Sequence, residues 1–407
     1  MIPNNAQAAI VGVGWTKFGH HYDKDLEELA REAGLHALID AGIERKDLDA
    51  IYMGSFVPEI ATHQGSIACV VSEAFGLDEY KIPIYRPEAA CASGGVAIDL
   101  AIQGIRSGKF DVVLLGGVEK LTDSDATLAL SSAASSRERD YHFNFIDLNA
   151  NVASRHMYEY GTKREHLAMM SVMNHKHARD NEKAQFRNQV KVEDILELEY
   201  ISEPLTLYDC SPVSDGAAAA ILVNPELAKD FEDPVFITGC GHATDSINLS
   251  ARKDITTIEA SIVASRTALK EANKTLRDVN ICEIHDAFSI LGILSIEDLG
   301  FCEKGEGGKI IEESFDPDAK HVVIKTRYGE KIFNCGGGLK AHGHAVGATG
   351  VRQLVEIYLQ LRYDKKHPVY GKFDHPVNSS LGEDPAVGMV QNIGGVGGDV
   401  TCQILEV

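Results

Sequence analysis

The chain has 407 residues, 44% of them apolar and 24% charged, a composition that supports a folded globular protein with room for two large cores and excludes a disordered one. Its formal charge of −21 repels polyanions, so nucleic acid is excluded as a general partner and any anionic ligand needs a local basic or dipolar pocket. The longest apolar stretches, 112–118 and 217–223, fall far short of the roughly 20 residues a membrane span needs, and the opening residues carry no basic flank or apolar run, so the cytoplasm is the expected compartment.

Apolar, β-branched segments alternate with helical patterns along the chain, which predicts an α/β protein with largely parallel sheets. The first strand is Ala9-Ile-Val-Gly-Val-Gly14, followed by a helical stretch holding Ala37, Leu38 and Ala41. Arg86-Pro-Glu-Ala-Ala-Cys-Ala-Ser-Gly-Gly95 then leads from a strand into the helical pattern 96–105. Cys91 therefore falls at a strand-to-helix turn, where N–H groups and the helix dipole favour an anion. The expectation is a lowered thiol pKa and a nucleophilic thiolate. The bland alternative is a buried cysteine in a tight turn. Eight cysteines are spread over the chain without a Cys-x-x-Cys pair, which argues against a structural zinc site or a redox motif.

After the strand 112–117 the alternation breaks, and residues about 120–210 read as an inserted loop domain of polar, helical text. The chain then starts over. Ile10, Gly12 and Gly14 are matched by Ile237, Gly239 and Gly241; Ala37, Leu38, Ala41 and Asp47 by Ala268, Leu269, Ala272 and Asp278; and the strand 112–117 by 388–395. Echoes in one order predict two similar halves, 1–230 and 231–407.

In the second half the strand 279–284 ends in His285-Asp-Ala-Phe288. A glycine-rich loop, Asn334-Cys-Gly-Gly-Gly-Leu-Lys-Ala-His-Gly-His-Ala-Val-Gly-Ala-Thr-Gly350, precedes the helix 351–361, and the strand 387–391 runs into Asn392-Ile-Gly-Gly-Val-Gly-Gly398. Polar groups at strand ends of α/β proteins face a shared crevice, so His344 is a candidate base for Cys91. His342 and His344 lack the carboxylates or cysteines that would complete a metal site, and no metal is expected. The loop has neither a Gly-x-Gly-x-x-Gly opening nor a Gly-Lys-Ser/Thr ending, so a phosphate loop is excluded.

Together these motifs resemble the thiolase family over nearly the whole chain. Cys91 in Glu88-Ala-Ala-Cys-Ala-Ser-Gly-Gly95 matches the acylated nucleophile, His344 matches the family's Gly-His-Pro histidine, and His285 stands where Asn-Glu-Ala-Phe is found elsewhere. Segments 174–187 and 204–218 are most like archaeal and sterol-carrier-protein-associated thiolases. The resemblance implies a five-layered α-β-α-β-α fold of two βαβαβαββ halves with the loop domain inserted. It also implies a homodimer or tetramer, and acyl transfer between coenzyme A thioesters without a further cofactor. It assigns His285, His344 and Asn392 to the catalytic site beside Cys91, the N–H groups of Cys91 and Gly394 to the oxyanion, and Ser211 to coenzyme A.

Three positions depart from the family pattern. Asn392 replaces a second cysteine that serves many thiolases as acid/base, Ala287 replaces the cysteine of the sterol-carrier type, and Ala345 replaces a proline, which is expected to loosen the His344 loop. The second base is thereby left among Cys282, Cys335 and a doubly used His344. The leading expectation is an acetyl-CoA acetyltransferase forming acetoacetyl-CoA for mevalonate-type isoprenoid synthesis, with hydroxymethylglutaryl-CoA synthase and a small zinc-ribbon/OB-fold protein as partners. The alternatives are a thiolase for longer 3-ketoacyl chains, a thiolase-like aldolase, and a non-catalytic scaffold that binds coenzyme A thioesters.

Overall fold

The repeated glycines and alanines turn out to be two sides of one contact. In the computed structural model, which describes residues 2–382 and 384–407, the strand Ala8–Trp15 carries the helix Leu26–Ala41 on one face. A Cβ on Gly12 would stand 2.7 Å from Ala37 O and 2.4 Å from Ala41 N, and one on Gly14 2.2 Å from Ala33 O. Only glycine lets the helix backbone come so close. The second half repeats the device: Cβ atoms on Gly239 and Gly241 of the strand Val235–Thr244 would lie 2.0 Å from Ala268 O and 1.9 Å from Ala264 O of the helix Glu259–Glu271.

Each half runs βαβαβαββ. The strands of the first are Ala8–Trp15, Ala50–Gly54, Ile84–Tyr85, Val112–Glu119 and Gly216–Val223; those of the second are Val235–Thr244, Ile281–Glu283, Gly329–Phe333, Val387–Gly394 and Asp399–Glu406. Both sets lie in the order third, second, fourth, fifth, first. The two first strands then pair antiparallel, Ala8 opposite Ile237 and Ile10 opposite Val235, and join everything into one eleven-stranded sheet, with Ile324–Thr326 added at an edge. Where a largely parallel sheet is expected, parallel pairing is confined to the second, third and fourth strands of each half. The fifth strand returns antiparallel beside the fourth, which in the second half takes only the tight turn after Gly394.

Three apolar clusters separate the layers. Leu26–Ala41 and Ile67–Phe75 cover the outer face of the first-half strands. The helices Ser93–Arg106 and Thr349–Leu361 fill the space between the halves, packing Ala97, Ile98, Val351 and Leu354 against Val113, Leu115, Val390 and Leu405. Glu259–Glu271 and Ser289–Asp298 cover the outer face of the second-half strands. This is the five-layered α-β-α-β-α arrangement.

The insertion lies between Glu119 and Gly216, with Phe145–Tyr160 and Arg164–Ala178 as its long helices. It is pinned to the other half: Asn174 Nδ2 donates to Asp286 Oδ2 (2.6 Å), and His177 meets Asn334 O (3.0 Å) and Val322 N (2.8 Å). Among the described residues no helix is long and apolar enough to cross a membrane.

Candidate active site

Cys91 sits in the turn between Ile84–Tyr85 and Ser93–Arg106. Ala90 before it has φ +51°, a left-handed conformation that costs a non-glycine residue about 1 kcal/mol. Ser93 holds this turn, its Oγ accepting from Ala89 N (2.9 Å) and donating to Ala90 O (2.6 Å). The thiol is enclosed by an apolar wall of Phe56, Val57, Leu121 and Val346. Burial pushes its pKa up to about 12; Glu119 and Glu88 push the same way, while the N–H groups of Gly395 and Cys91 itself oppose them. The helix-terminus argument for a resting thiolate is therefore corrected: desolvation outweighs the backbone dipoles, and the nucleophile rests as a thiol that needs a base.

Two histidines from the second half meet it. One donor atom each from Cys91, His285 and His344 all lie within 4.8 Å of one another, and the two rings cross edge-to-face with centroids 5.3 Å apart. Their hydrogen bonds assign opposite tautomers. Thr349 Oγ1 donates to Ala345 O (3.1 Å), so at 2.7 Å it accepts from His344 Nδ1–H, leaving Nε2 of His344 as a free base. Asn392 Oδ1 accepts from Gly95 N (3.2 Å), so Asn392 Nδ2 donates to His285 Nδ1 (3.1 Å), placing the ring proton on Nε2. That Nε2–H is buried with no partner among the described residues.

Burial holds both rings neutral, His344 down at about 3 and His285 well below the usual histidine range, with Arg352 acting in the same direction on both and His344 adding to it on His285. The site thus contains a thiol, a neutral base and a neutral donor. This protonation pattern suits proton transfer and oxyanion binding; a metal would require the thiolate and a stripped His285 Nε2. His342 lies outside the cluster, with Nδ1 accepting from Asn181 Nδ2 (3.1 Å) and its ring edge-on to Phe18.

Residues 8–226 match the Thiolase, N-terminal domain family, and residues 241–406 match Thiolase C-terminal domain-like. The chain belongs to the thiolase family. It is 43% identical over 403 residues to an acetyl-CoA acetyltransferase of Methanothermobacter thermautotrophicus, covering 98% of this chain and 99% of that one. It is 44% identical to the acetyl-CoA acetyltransferase of Methanocaldococcus jannaschii over 98% of both chains. The benzoylsuccinyl-CoA thiolase subunit BbsB of Thauera aromatica is 33% identical over 87% of this chain and 88% of its own. Among solved structures, the Ltp2-ChsH2(DUF35) aldolase superposes with a TM-score of 0.79 at 23% identity, over 100% of this chain and 99% of that one, a likeness of fold. This thiolase is an acyltransferase.

In this thiolase neither cysteine expected as a second base, Cys282 or Cys335, belongs to the cluster. Cys282 packs with Ile284 and Met389 under the outer helices and Cys335 lies in the central layer, both with thiols pushed well above their usual range by burial. The N–H groups that act on the Cys91 sulfur are its own and that of Gly395, the residue after Gly394, whose N–H is the donor expected for the substrate oxyanion. Gly394 ends its strand opposite Asp399, where a Cβ would stand 2.4 Å from Ala89 O. Ala345 does not loosen its loop: it is buried with φ −74°, a proline-like value, and its carbonyl accepts from Thr349 Oγ1 and Ala348 N.

Ser211 lies beside the His285 turn, its N–H donating to Ala287 O (2.8 Å), and lines a cavity of about 320 Å³ with Tyr208, Phe186 and Lys340. Sequence reasoning missed Thr349, Ser214 and Glu119. Ser214 Oγ accepts from His344 N (2.8 Å). Glu119 carried the one available signal, an acid at the end of the apolar strand Val112–Glu119.

Proposed function

We propose that this thiolase joins two acetyl-CoA molecules into acetoacetyl-CoA, and cleaves it in reverse, through an acyl thioester on Cys91. The observation that carries the reading is the convergence of the Cys91 thiol, the free His344 Nε2 and the His285 Nε2–H at one point. The acetyl-CoA acetyltransferase relatives, alike over almost the whole chain, support acetyl as the acyl group.

His344 Nε2 takes the Cys91 proton as sulfur attacks the thioester carbonyl; the tetrahedral oxyanion collapses and the leaving coenzyme A thiolate takes that proton back from His344. The neutral resting state helps here, because charge develops only while the substrate carbonyl is present to accept it. His344 Nε2 then takes an α proton from a second acetyl-CoA, whose enolate oxygen accepts a hydrogen bond from His285 Nε2–H; the enolate carbon attacks the acyl-cysteine carbonyl, and the expelled Cys91 thiolate takes the proton from His344. With Asn392 unable to act as an acid or base, His344 serves both half-reactions. Ser211 and its cavity are the reading for the pantetheine side of coenzyme A, and no cofactor enters beyond the thioesters.

The finer reading is a cytoplasmic homo-oligomer feeding mevalonate-type isoprenoid synthesis, with hydroxymethylglutaryl-CoA synthase and a small zinc-ribbon/OB-fold protein as partners. The presence of ChsH2(DUF35) with Ltp2, and the subunit status of BbsB, support partnership in related assemblies.

Intact-protein mass spectrometry after incubation with acetyl-CoA tests the reaction. An acetyl adduct is expected on the wild type and absent from Cys91→Ser. A wild type that stays unmodified while folded, or a Cys91→Ser variant that still makes acetoacetyl-CoA, overturns it.

A further inference from the structure

Each half sends one polar side chain from its fourth strand across to the other half. Asn392, from the second, accepts Gly95 N at 3.2 Å. Glu119, from the first, accepts Gly347 N at 2.8 Å through Oε2, three residues beyond His344. The amide passes its influence on to His285, whereas the carboxylate gathers two further N–H groups: Phe56 N at 2.8 Å on Oε2 and Val57 N at 3.3 Å on Oε1. Phe56 and Val57 belong to the wall around the Cys91 thiol, and Val346, next to Gly347, completes it.

Glu119 therefore ties the Cys91 wall to the His344 loop by one side chain. The packing leaves no slack for another arrangement. A Cβ on Gly347 would stand 2.8 Å from Glu119 Oε2 and 2.6 Å from Ser55 Cα, and one on Gly117 2.6 Å from Gly347 O. Glu119 is fully buried and forms no ion pair among the described residues, and Arg86, whose charge acts on it, is engaged by Glu59. A bare buried carboxylate is costly. An amide is the cheaper residue for simple bracing, but its one oxygen cannot serve three donors and its NH₂ would face one of them.

We propose that Glu119 is a positioning residue for acyl transfer: its carboxylate sets the His344 loop against the Cys91 wall and holds an acid at that wall. The inference rests on the acyl-cysteine reading above. Burial raises the Glu119 carboxyl to about 7 against the pull of the three N–H groups and Arg86. Its field acts on Cys91 in the same sense as that of Glu88, the other acid on the Cys91 turn.

The experiment compares wild type, Glu119→Gln and Glu119→Asp in the full chain. Wild type must first form the acetyl adduct on Cys91; failure there removes the acyl-cysteine reading and says nothing against Glu119. With that in place, Glu119→Gln is expected to lower kcat about 100-fold, the scale set by loop misplacement near 1 Å, with KM within about twofold. It is also expected to move the midpoint of Cys91 alkylation by iodoacetamide, followed by intact mass, to lower pH. Glu119→Asp keeps the charge and shortens the reach, so it should lose rate while the alkylation midpoint stays in place. Wild-type kcat in folded Glu119→Gln overturns the proposal, as does a rate loss without a midpoint shift, which is plain loosening. Failure of both variants to fold would reduce Glu119 to a structural brace and overturn it as well.

Discussion

The two halves share strand order, helix placement and the glycines that seat their first helices, yet they supply different chemistry at matching places. The third helix of the first half begins just after Cys91; that of the second, Thr349–Leu361, begins just after the His344 loop. The two helix starts touch through glycine, since a Cβ on Gly350 would lie 2.4 Å from Gly95 N and one on Gly94 2.9 Å from Gly347 O. The fourth strands then differ, one carrying Glu119 and the other Asn392. Repetition builds the frame, and unlike side chains near the ends of its matching elements bring a thiol from one half against two histidines from the other.

If that division holds, the largest effect of breaking it from the second half comes from His285→Ala. Loss of a single oxyanion donor should lower kcat about 1,000-fold in acetoacetyl-CoA thiolysis while Cys91 still alkylates; a change below tenfold would remove the donor role. Asn392→Asp is subtler. It keeps an acceptor for Gly95 N but can only accept from His285, so the ring proton moves to Nδ1 and Nε2 stops donating. A fall in kcat of about 100-fold with little change in KM is expected, and nitrogen NMR of the imidazole reads the tautomer directly.

The frame itself is tested by Gly12→Ala and Gly239→Ala. Each forces a methyl into helix backbone, at 2.4 Å from Ala41 N and 2.0 Å from Ala268 O, and each should cost about 3 kcal/mol in chemical denaturation. Costs differing by several kcal/mol would break the equivalence of the two contacts.

The smallest effect concerns a feature the first half lacks, the excursion between Leu361 and Val387. His375 is buried there between Glu356 and Asp374, and their charges raise it to about 9 despite the burial. A raised histidine contributes stability in full below about 6.5, and that contribution is lost as pH rises through about 9. Thermal melts of the wild type should therefore drop between pH 7 and 10, with a flatter profile for His375→Gln.

Much of the site was legible because its chemistry lies in short runs: a cysteine among small residues before a helix, a histidine in a glycine-rich loop, a histidine closing a strand. Thr349 lay inside the quoted loop yet carried no sign of its role, since only the path of its hydroxyl proton to Ala345 O shows which nitrogen of His344 is free. The thiolate expectation failed for a related reason. A helix start can be read locally, but the apolar wall of Phe56, Val57, Leu121 and Val346 comes from three separate segments.

By itself, then, the sequence determined the repeated frame, because close strand–helix contact demands small residues at fixed spacing, and it pointed to Cys91, His285 and His344, which the fold brings together. Protonation was decided only by the tertiary structure. The partners that set the His285 tautomer and the buried carboxylate, Gly95 with Asn392 and Glu119 with Gly347, lie more than two hundred residues apart in the chain. The desolvation that keeps Cys91 a thiol exists only once the layers have closed over it.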